Sequence, residues 1–268
     1  TLGVEGAEIL TDILNRYFQE MIAIIHRYGG QVMKFGGDAI LCFFPGENSL
    51  HRTLYAAQLM QEVMPKFQSI RTSVKRFTLR MKIGIAEGDV LLAGVGDPGI
   101  RCDYVFAGTP VDLTSDAEHH AEAGDIVLAS QTKPAIPGLQ VSRIEGAYYL
   151  IRHIPECDPM KQERIIARDK DTKTSLIQSY LISEVFELVS RGYHSHVGAL
   201  LSIVPVFLQF KGFSYSKKGF HLEMFDDFFR TVMEITHRYE GRLNRISMGD
   251  KGSTFFILFG APKALERK

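Results

Sequence analysis

In the stretch "HRYGGQVMKFGGDAILCFF", which begins at His26, one carboxylate stands where the chain is set to fold back on itself. Gly36 and Gly37 precede Asp38, and apolar runs flank the three on both sides. Glycines admit positive φ and let a bulky polyphosphate approach the backbone. An aspartate on a rigid tip can ligate a hard divalent cation, and paired cations serve phosphoryl transfer by neutralising charge on the phosphates. The same residues also suit an ordinary acidic hairpin turn, and the pattern alone leaves the two readings level. A metal site needs a partner carboxylate, and none is evident in the first half of the chain.

The elements that would position Asp38 are legible around it. Ile9, Leu10, Ile13, Leu14, Tyr17, Phe18, Met21, Ile22 and Ile25 recur at three- and four-residue spacing, which predicts one long helix with a buried stripe. Gly29 and Gly30 end it. Residues 31–35 and 39–44 then read as a hairpin, with Gly36 and Gly37 both supplying positive φ in the turn. A second helix is expected over 50–67, and "FTLRMKIGIAEG" and "DVLLAGVG" read as two long strands. "GDPG" is a turn, "DYVFAG" a short strand, and Thr109-Pro110-Val111-Asp112 has the spacing of a capping box that opens a helix. "DIVLAS" closes the unit as a strand. The order implies an α+β fold, helices packed on a mainly antiparallel sheet.

The chain has 268 residues, 45% hydrophobic, with 31 basic and 31 acidic side chains. That composition suits a cytoplasmic globular protein and gives no reason to expect a nucleic-acid partner. "ALLSIVPVFLQF" is too short to span a bilayer, and nothing at the N-terminus resembles a signal peptide. Three dispersed cysteines indicate neither a disulfide framework nor a zinc site. Residues 131–198 read as a linker with some structure of its own, including an amphipathic helix in "LIQSYLISEVFELVSRG". "HRYEGRLNRISMGDKGSTFFILFGAP", from His237, then echoes the stretch from His26, and an apolar strand, "SIVPVFLQFKGF", precedes this second copy. A helix–glycine–hairpin unit appearing twice indicates two related domains.

These segments resemble the class III nucleotide cyclases, over about 4–130 and more weakly over about 200–262. The tandem arrangement most resembles the soluble adenylyl cyclases. The resemblance implies two cyclase domains of ferredoxin-like, palm-like type that pair within the chain: 1–130, lacking its first strand; a linker at 131–198; and 199–268, the first half of a divergent second domain. It implies ATP as substrate, Mg²⁺ or Mn²⁺ as cofactor, and sites formed where the domains meet. Lys34, Phe35, Gly36, Gly37 and Asp38 match the family's "K-F-x-G-D" hairpin, which makes Asp38 a metal ligand and Phe35, Gly36 and Gly37 substrate-binding. The other metal aspartate would lie upstream of Thr1. Arg80, in "LRMKIG", matches a basic strand residue on the triphosphate; by pattern alone it is equally a solvated arginine beside Lys82.

Several positions depart from the family. Its "G-x-x-V-N-x-A-x-R" is "GTPVDLTSD" here, so Asp112 and Asp116 stand in for the catalytic Asn and Arg. Neither can donate to a pentavalent phosphate as an arginine does. Asp112 reads instead as a helix-capping residue and Asp116 as an exposed helical charge. In the second domain "FLQFKGF" puts Gln209 where a metal aspartate stands, and Asp250 or Ser253 falls at the second metal position. Arg245, in "LNRIS", takes the place of a base-reading lysine. Asp112, Asp116 and Gln209 would line a degenerate site able to hold a regulatory ligand. Soluble cyclases respond to bicarbonate there, with Lys34 as one contact; Ser115 replaces the partnering arginine, so that regulation is not carried over. The expectation is an adenylate cyclase in which this chain alone does not turn over. The alternative is a pseudo-cyclase acting as sensor or scaffold. A diguanylate cyclase fits less well, because Ala39 and Ile40 replace its second acidic and its aromatic residue. His119 and His120, adjacent on a helix, read as a solvated face.

Overall fold

The computed structural model describes residues 3–71, 76–160, 177–181, 186–187, 190–192, 202–213, 221–248 and 252–260. In chain order the elements begin with α1 (Gly3–Arg27), β1 (Gln31–Gly36), β2 (Ala39–Phe43) and α2 (Ser49–Val63). Next come β3 (Ile70–Arg71), β4 (Arg76–Phe77), β5 (Ile83–Ala86), β6 (Leu91–Asp97) and β7 (Arg101–Ala107). Then follow α3 (Thr109–His119), β8 (Ile126–Ala129), β9 (Gln140–Arg143) and β10 (Tyr148–His153). The last described elements are β11 (Val204–Phe210), α4 (Leu222–Arg238), β12 (Gly241–Ser247) and β13 (Ser253–Phe259). The fold is α+β, and the chain divides into two compact units, Thr1–Gly88 with Asp112–Arg164, and Asp89–Val111 with Ile165–Lys268.

In the first unit α1 buries Ile13, Tyr17, Met21 and Ile25 along one stripe, continued by Tyr28 just past its end, while Leu10, expected on it, is 48% exposed. The helix ends in a Schellman motif: Gly30 N–H donates to Ile25 O at 2.8 Å and Gly29 N–H to His26 O at 3.0 Å. Gly29 takes the left-handed conformation that this geometry requires, φ +75°. β1 and β2 pair antiparallel, with Gly36 opposite Ala39, so the turn is the two residues Gly37 and Asp38. Positive φ falls on Gly37 alone of the glycine pair, at +72°, which is the II′ pattern. The α2 helix stops at Val63 rather than running to 67, because Pro65 has no N–H to continue the ladder, and Met64–Phe67 tightens into a 3₁₀ turn.

The long strand expected over "FTLRMKIGIAEG" is two short ones, β4 against β3 and β5 against β8. β5 and β8 are parallel, and the sheet runs β5-β8-β10-β9, so "DIVLAS" does not close it; two more strands follow. As the sequence predicts, α3 opens at Thr109. It lies against β5 so closely that a Cβ on Gly84 would fall 2.2 Å from Thr114 O.

In the second unit the sheet order is β11-β13-β12, and α4 covers one face with Phe225, Phe229 and Met233 buried at every fourth position. Their neighbours include Leu243, Ile246, Phe255 and Ile257, and also Val95, Val105 and Ala107 from the β6–β7 ribbon. That ribbon, written in the first half of the sequence, therefore completes the second unit's core; each fully buried phenylalanine there is worth about 1.5–3 kcal/mol. Two polar ties hold it. Gly96 N–H donates to Asp226 Oδ1 at 2.7 Å, and the Arg101 guanidinium donates to the carbonyls of Leu243 and Asn244 at the bulge in β12. Of the amphipathic helix expected over 176–192, residues 176, 182–185 and 188–189 lie outside the described residues.

Candidate active site

The β1–β2 hairpin brings Lys34, Phe35, Gly36, Gly37 and Asp38 together at one end of the first unit, with Asp38 exposed at the turn. α1 forms its floor. The ring of Phe35, 45% exposed, meets Phe18 edge-on at 5.1 Å, so this side chain spends part of its surface on packing. Beside it the Tyr17 hydroxyl donates to Met81 Sδ at 3.3 Å. Burial first, then the charge of Asp38 and Cys42, pushes the Tyr17 hydroxyl up to about 12. Burial alone pushes the Cys42 thiol up to about 12. Both groups are therefore neutral at physiological pH, and the hairpin rests on an uncharged floor. At its base Gly30 has no room for a side chain, since a Cβ would lie 2.6 Å from the Phe44 ring.

Arg80 is exposed and sits in the irregular stretch between β4 and β5, not on a strand as expected. Its neighbour Lys82 pairs with Glu118 at 3.0 Å. Asp112 and Asp116 lie one turn apart on α3, Asp112 exposed in the first turn, where a carboxylate complements the helix dipole. Asp116 is half-buried rather than exposed, and its carbonyl accepts the His120 backbone N–H at 3.2 Å and lies 2.8 Å from the ring Nδ1. His119 and His120 are both exposed, as a solvated face requires, and His120 also stacks on Tyr148 with 4.0 Å between ring centres.

In the second unit Gln209 is exposed on β11 opposite Thr254, and Arg245 is half-buried on β12 opposite Phe256. Phe256 stacks on Phe207, which is 67% exposed, at 4.6 Å. The two-residue period places Gln209, Thr254, Phe207, Phe256 and Arg245 on the sheet face opposite the one α4 covers. Ser253 is buried at the start of β13, opposite Phe210, and Asp250 lies outside the described residues.

One carboxylate does not make a divalent-cation centre. Among the described residues no group of three His, Cys, Asp or Glu side chains could hold a metal. Asp38, exposed on a turn tip, fits a single ligand position and no more, so a cation there would need further ligands from outside the hairpin. Arg52, Phe18 and Tyr17, which shape the hairpin, escape a reading based on motifs. The signal for Arg52 was its place four residues before Ala56 on the buried stripe of α2, where a charge is out of pattern.

The glycine-turned Asp38 hairpin packed on α1 lies within the part of the chain that resembles the nucleotide cyclases. The chain matches the adenylate and guanylate cyclase catalytic domain over residues 4–148, more than half its length, and belongs to that family. It is 24% identical to adenylate cyclase type 10 of Oryctolagus cuniculus over 291 aligned residues, covering 96% of this chain and 18% of that protein. It is 34% identical over 122 residues to an adenylate cyclase of Anabaena cylindrica, covering 43% of this chain and 23% of that one. The solved guanylate cyclase domain of RhGC from Catenaria anguillulae, in complex with GTP, is 21% identical with a TM-score of 0.46, over 55% of this chain and 85% of that one. The chain thus spans about a fifth of the length of these curated relatives. No helix among the described residues is long and apolar enough to cross a membrane.

Proposed function

We propose that the full-length protein is a cytoplasmic adenylate cyclase that makes 3′,5′-cyclic AMP and pyrophosphate from ATP in second-messenger signalling. The observation that carries this reading is Asp38, exposed on the two-residue turn of the "KFGGD" hairpin in a chain of the cyclase family. In the reaction the 3′-oxygen of ATP bonds to the α-phosphorus, the bond to the β-phosphate bridging oxygen breaks, pyrophosphate leaves and the hydroxyl proton is released. Mg²⁺ or Mn²⁺ is the proposed cofactor, two cations supplying Lewis-acid stabilisation of the phosphate charge when bound. Asp38 is the ligand this chain offers them. Phe35, Gly36, Gly37, Arg80 and Arg245 are the proposed substrate contacts, and Lys34 and Gln209 belong to the proposed regulatory site. The domains 1–130 and 199–268, joined by 131–198, are proposed to pair within the chain.

Asp112 and Asp116 favour a second reading, a cyclase-like sensor without turnover. Two carboxylates one turn apart on α3 repel a phosphate where the family's Asn and Arg would attract it. The test is cyclic AMP and cyclic GMP formation by the full-length protein from ATP and GTP with Mg²⁺ or Mn²⁺, beside Asp38→Asn. Metal-dependent cyclic AMP that falls by about a hundredfold or more in the variant supports the cyclase reading. A folded protein that binds nucleotide and forms neither product makes it a sensor.

A further inference from the structure

Arg52 stands on the buried face of α2 with 5% of its surface exposed, and none of the described ion pairs includes it. A guanidinium taken out of water needs its donors filled, and here backbone carbonyls fill them. Nη1 donates to Tyr28 O at 2.7 Å, Nη2 to Pro45 O and to Glu47 O at 3.0 Å, and Nε to Glu47 O at 3.2 Å. Tyr28 leads into the glycine turn that opens β1, while Pro45 and Glu47 follow the end of β2. One planar group thus ties the two feet of the hairpin to each other and to α2.

Two further contacts converge on the same place. A Cβ on Gly29 would fall 2.8 Å from Arg52 Nη1 and 2.2 Å from Met160 Sδ. Met160 N–H donates to Arg27 O at 3.1 Å, so the segment after β10 closes over the foot that Arg52 grips. The cation also lies at the C-terminal end of α1, where the helix dipole favours it. The hairpin is a lever above this clamp. At the usual strand rise its tip stands roughly 20 Å from its feet, so a tilt of about 5° would move Asp38 by roughly 1–2 Å, enough to cost catalysis heavily.

We propose that Arg52 is a positioning residue for the Asp38 hairpin: by clamping both feet it fixes where the tip presents its carboxylate. The inference rests on the reading of Asp38 as a cyclase ligand. The experiment compares wild-type full-length protein with Arg52→Met and Arg52→Lys by hydrogen exchange and by the Mg²⁺ dependence of cyclic AMP formation. In Arg52→Met, exchange across residues 29–47 is expected to speed up about tenfold or more, with 126–153 unchanged, and half-saturating Mg²⁺ to rise about tenfold. Arg52→Lys, whose three donors leave from one point, recovers part of each. A variant that merely folds less well loses amplitude while half-saturating Mg²⁺ stays put, and that outcome overturns the inference. So does unchanged exchange at 29–47, or an equal rise across 126–153. If wild-type protein forms no product, the cyclase reading falls by itself, and the exchange pattern alone decides whether Arg52 sets the hairpin.

Discussion

Replacing Gly84 by alanine adds one methyl group at the closest approach between α3 and the sheet. The new Cβ would lie 2.2 Å from Thr114 O, 2.4 Å from Glu118 N and 2.9 Å from Glu118 Cα. All three are backbone atoms of a helix, so no side-chain rotation relieves the clash, and α3 must retreat by roughly 1 Å. Retreat would loosen Ala117 and Ala121, both buried against Val127 and Ala129, and stretch the Lys82–Glu118 pair. Overpacking usually costs about 1–3 kcal/mol, and a clash with main chain belongs at the top of that range. For a protein of this size about 3 kcal/mol lowers Tm by roughly 6–12 °C. Urea unfolding followed by far-UV circular dichroism reads the loss, with Gly36→Ala as control, because there a Cβ meets only Ala39 Cβ at 3.9 Å. A Gly84→Ala protein within about 0.5 kcal/mol of wild type, or one no worse than the control, refutes the packing argument.

The remaining predictions concern the second hairpin and the floor of the first. Glu240 holds a left-handed φ of +59° at the position equivalent to Gly29, so Glu240→Gly should gain about 0.5–1 kcal/mol, strain relief less the entropy glycine loses on folding, read as a higher urea midpoint. Burial raises Tyr17 from 10.0 to about 12, so its contribution is intact below pH 10 and is lost as pH rises through 12. Tyr17→Phe should therefore flatten the decline of stability between those pH values by at most about 1.4 kcal/mol per unit, measured by urea titration at several alkaline pH values; an unchanged slope counts against a buried hydroxyl.

Periodicity and glycine placement made much of the local structure legible. The stripe from Ile13 to Ile25, the helix stop at Gly29, a hairpin turned at the Gly36-Gly37 pair and the helix opened by Thr109-Pro110 all follow from short-range rules that the sequence writes openly, although the turn is the residues Gly37 and Asp38, with positive φ on Gly37 alone of the pair. What it hid is tertiary. The β6–β7 ribbon packs with the second unit because Val95, Val105 and Ala107 fit among Phe225, Phe229 and Leu243, and nothing in its own alternation says which core it joins. Residues 140–153 became strands because β8 offered an edge, although the turn-rich run before them, with Pro134, Pro137 and Gly138, makes the region read as a linker. The "KFGGD" motif exposed Asp38 to sequence reasoning, whereas Arg52 acts through carbonyl groups, and main-chain acceptors leave no signature in residue types.

The two copies of the helix–glycine–hairpin unit share a local design and differ in what steadies them. Gly30 and Gly241 each lie against an aromatic ring, Phe44 in one copy and Phe259 in the other, so neither tolerates a side chain. The second hairpin is then built into a sheet, with β11 pairing residue for residue along the whole of β13. Its Tyr239 is 69% exposed, and its left-handed residue is a glutamate. The first hairpin pairs with no third strand among the described residues, and its equivalent tyrosine, Tyr28, is 3% exposed. Its orientation therefore depends on side chains: Phe18 against Phe35 near the tip, Val32, Ile40, Cys42 and Phe44 packed on α1 and α2, and Arg52 at the feet. A backbone ladder fixes an added strand through many directional bonds, whereas apolar packing is non-directional and leaves one guanidinium as the directional tie at the feet. The hairpin that carries Asp38 is thus the copy in which a single substitution far from the carboxylate moves the tip, and small losses at Phe18 or Arg52 should be felt there before they are felt in the stability of the fold.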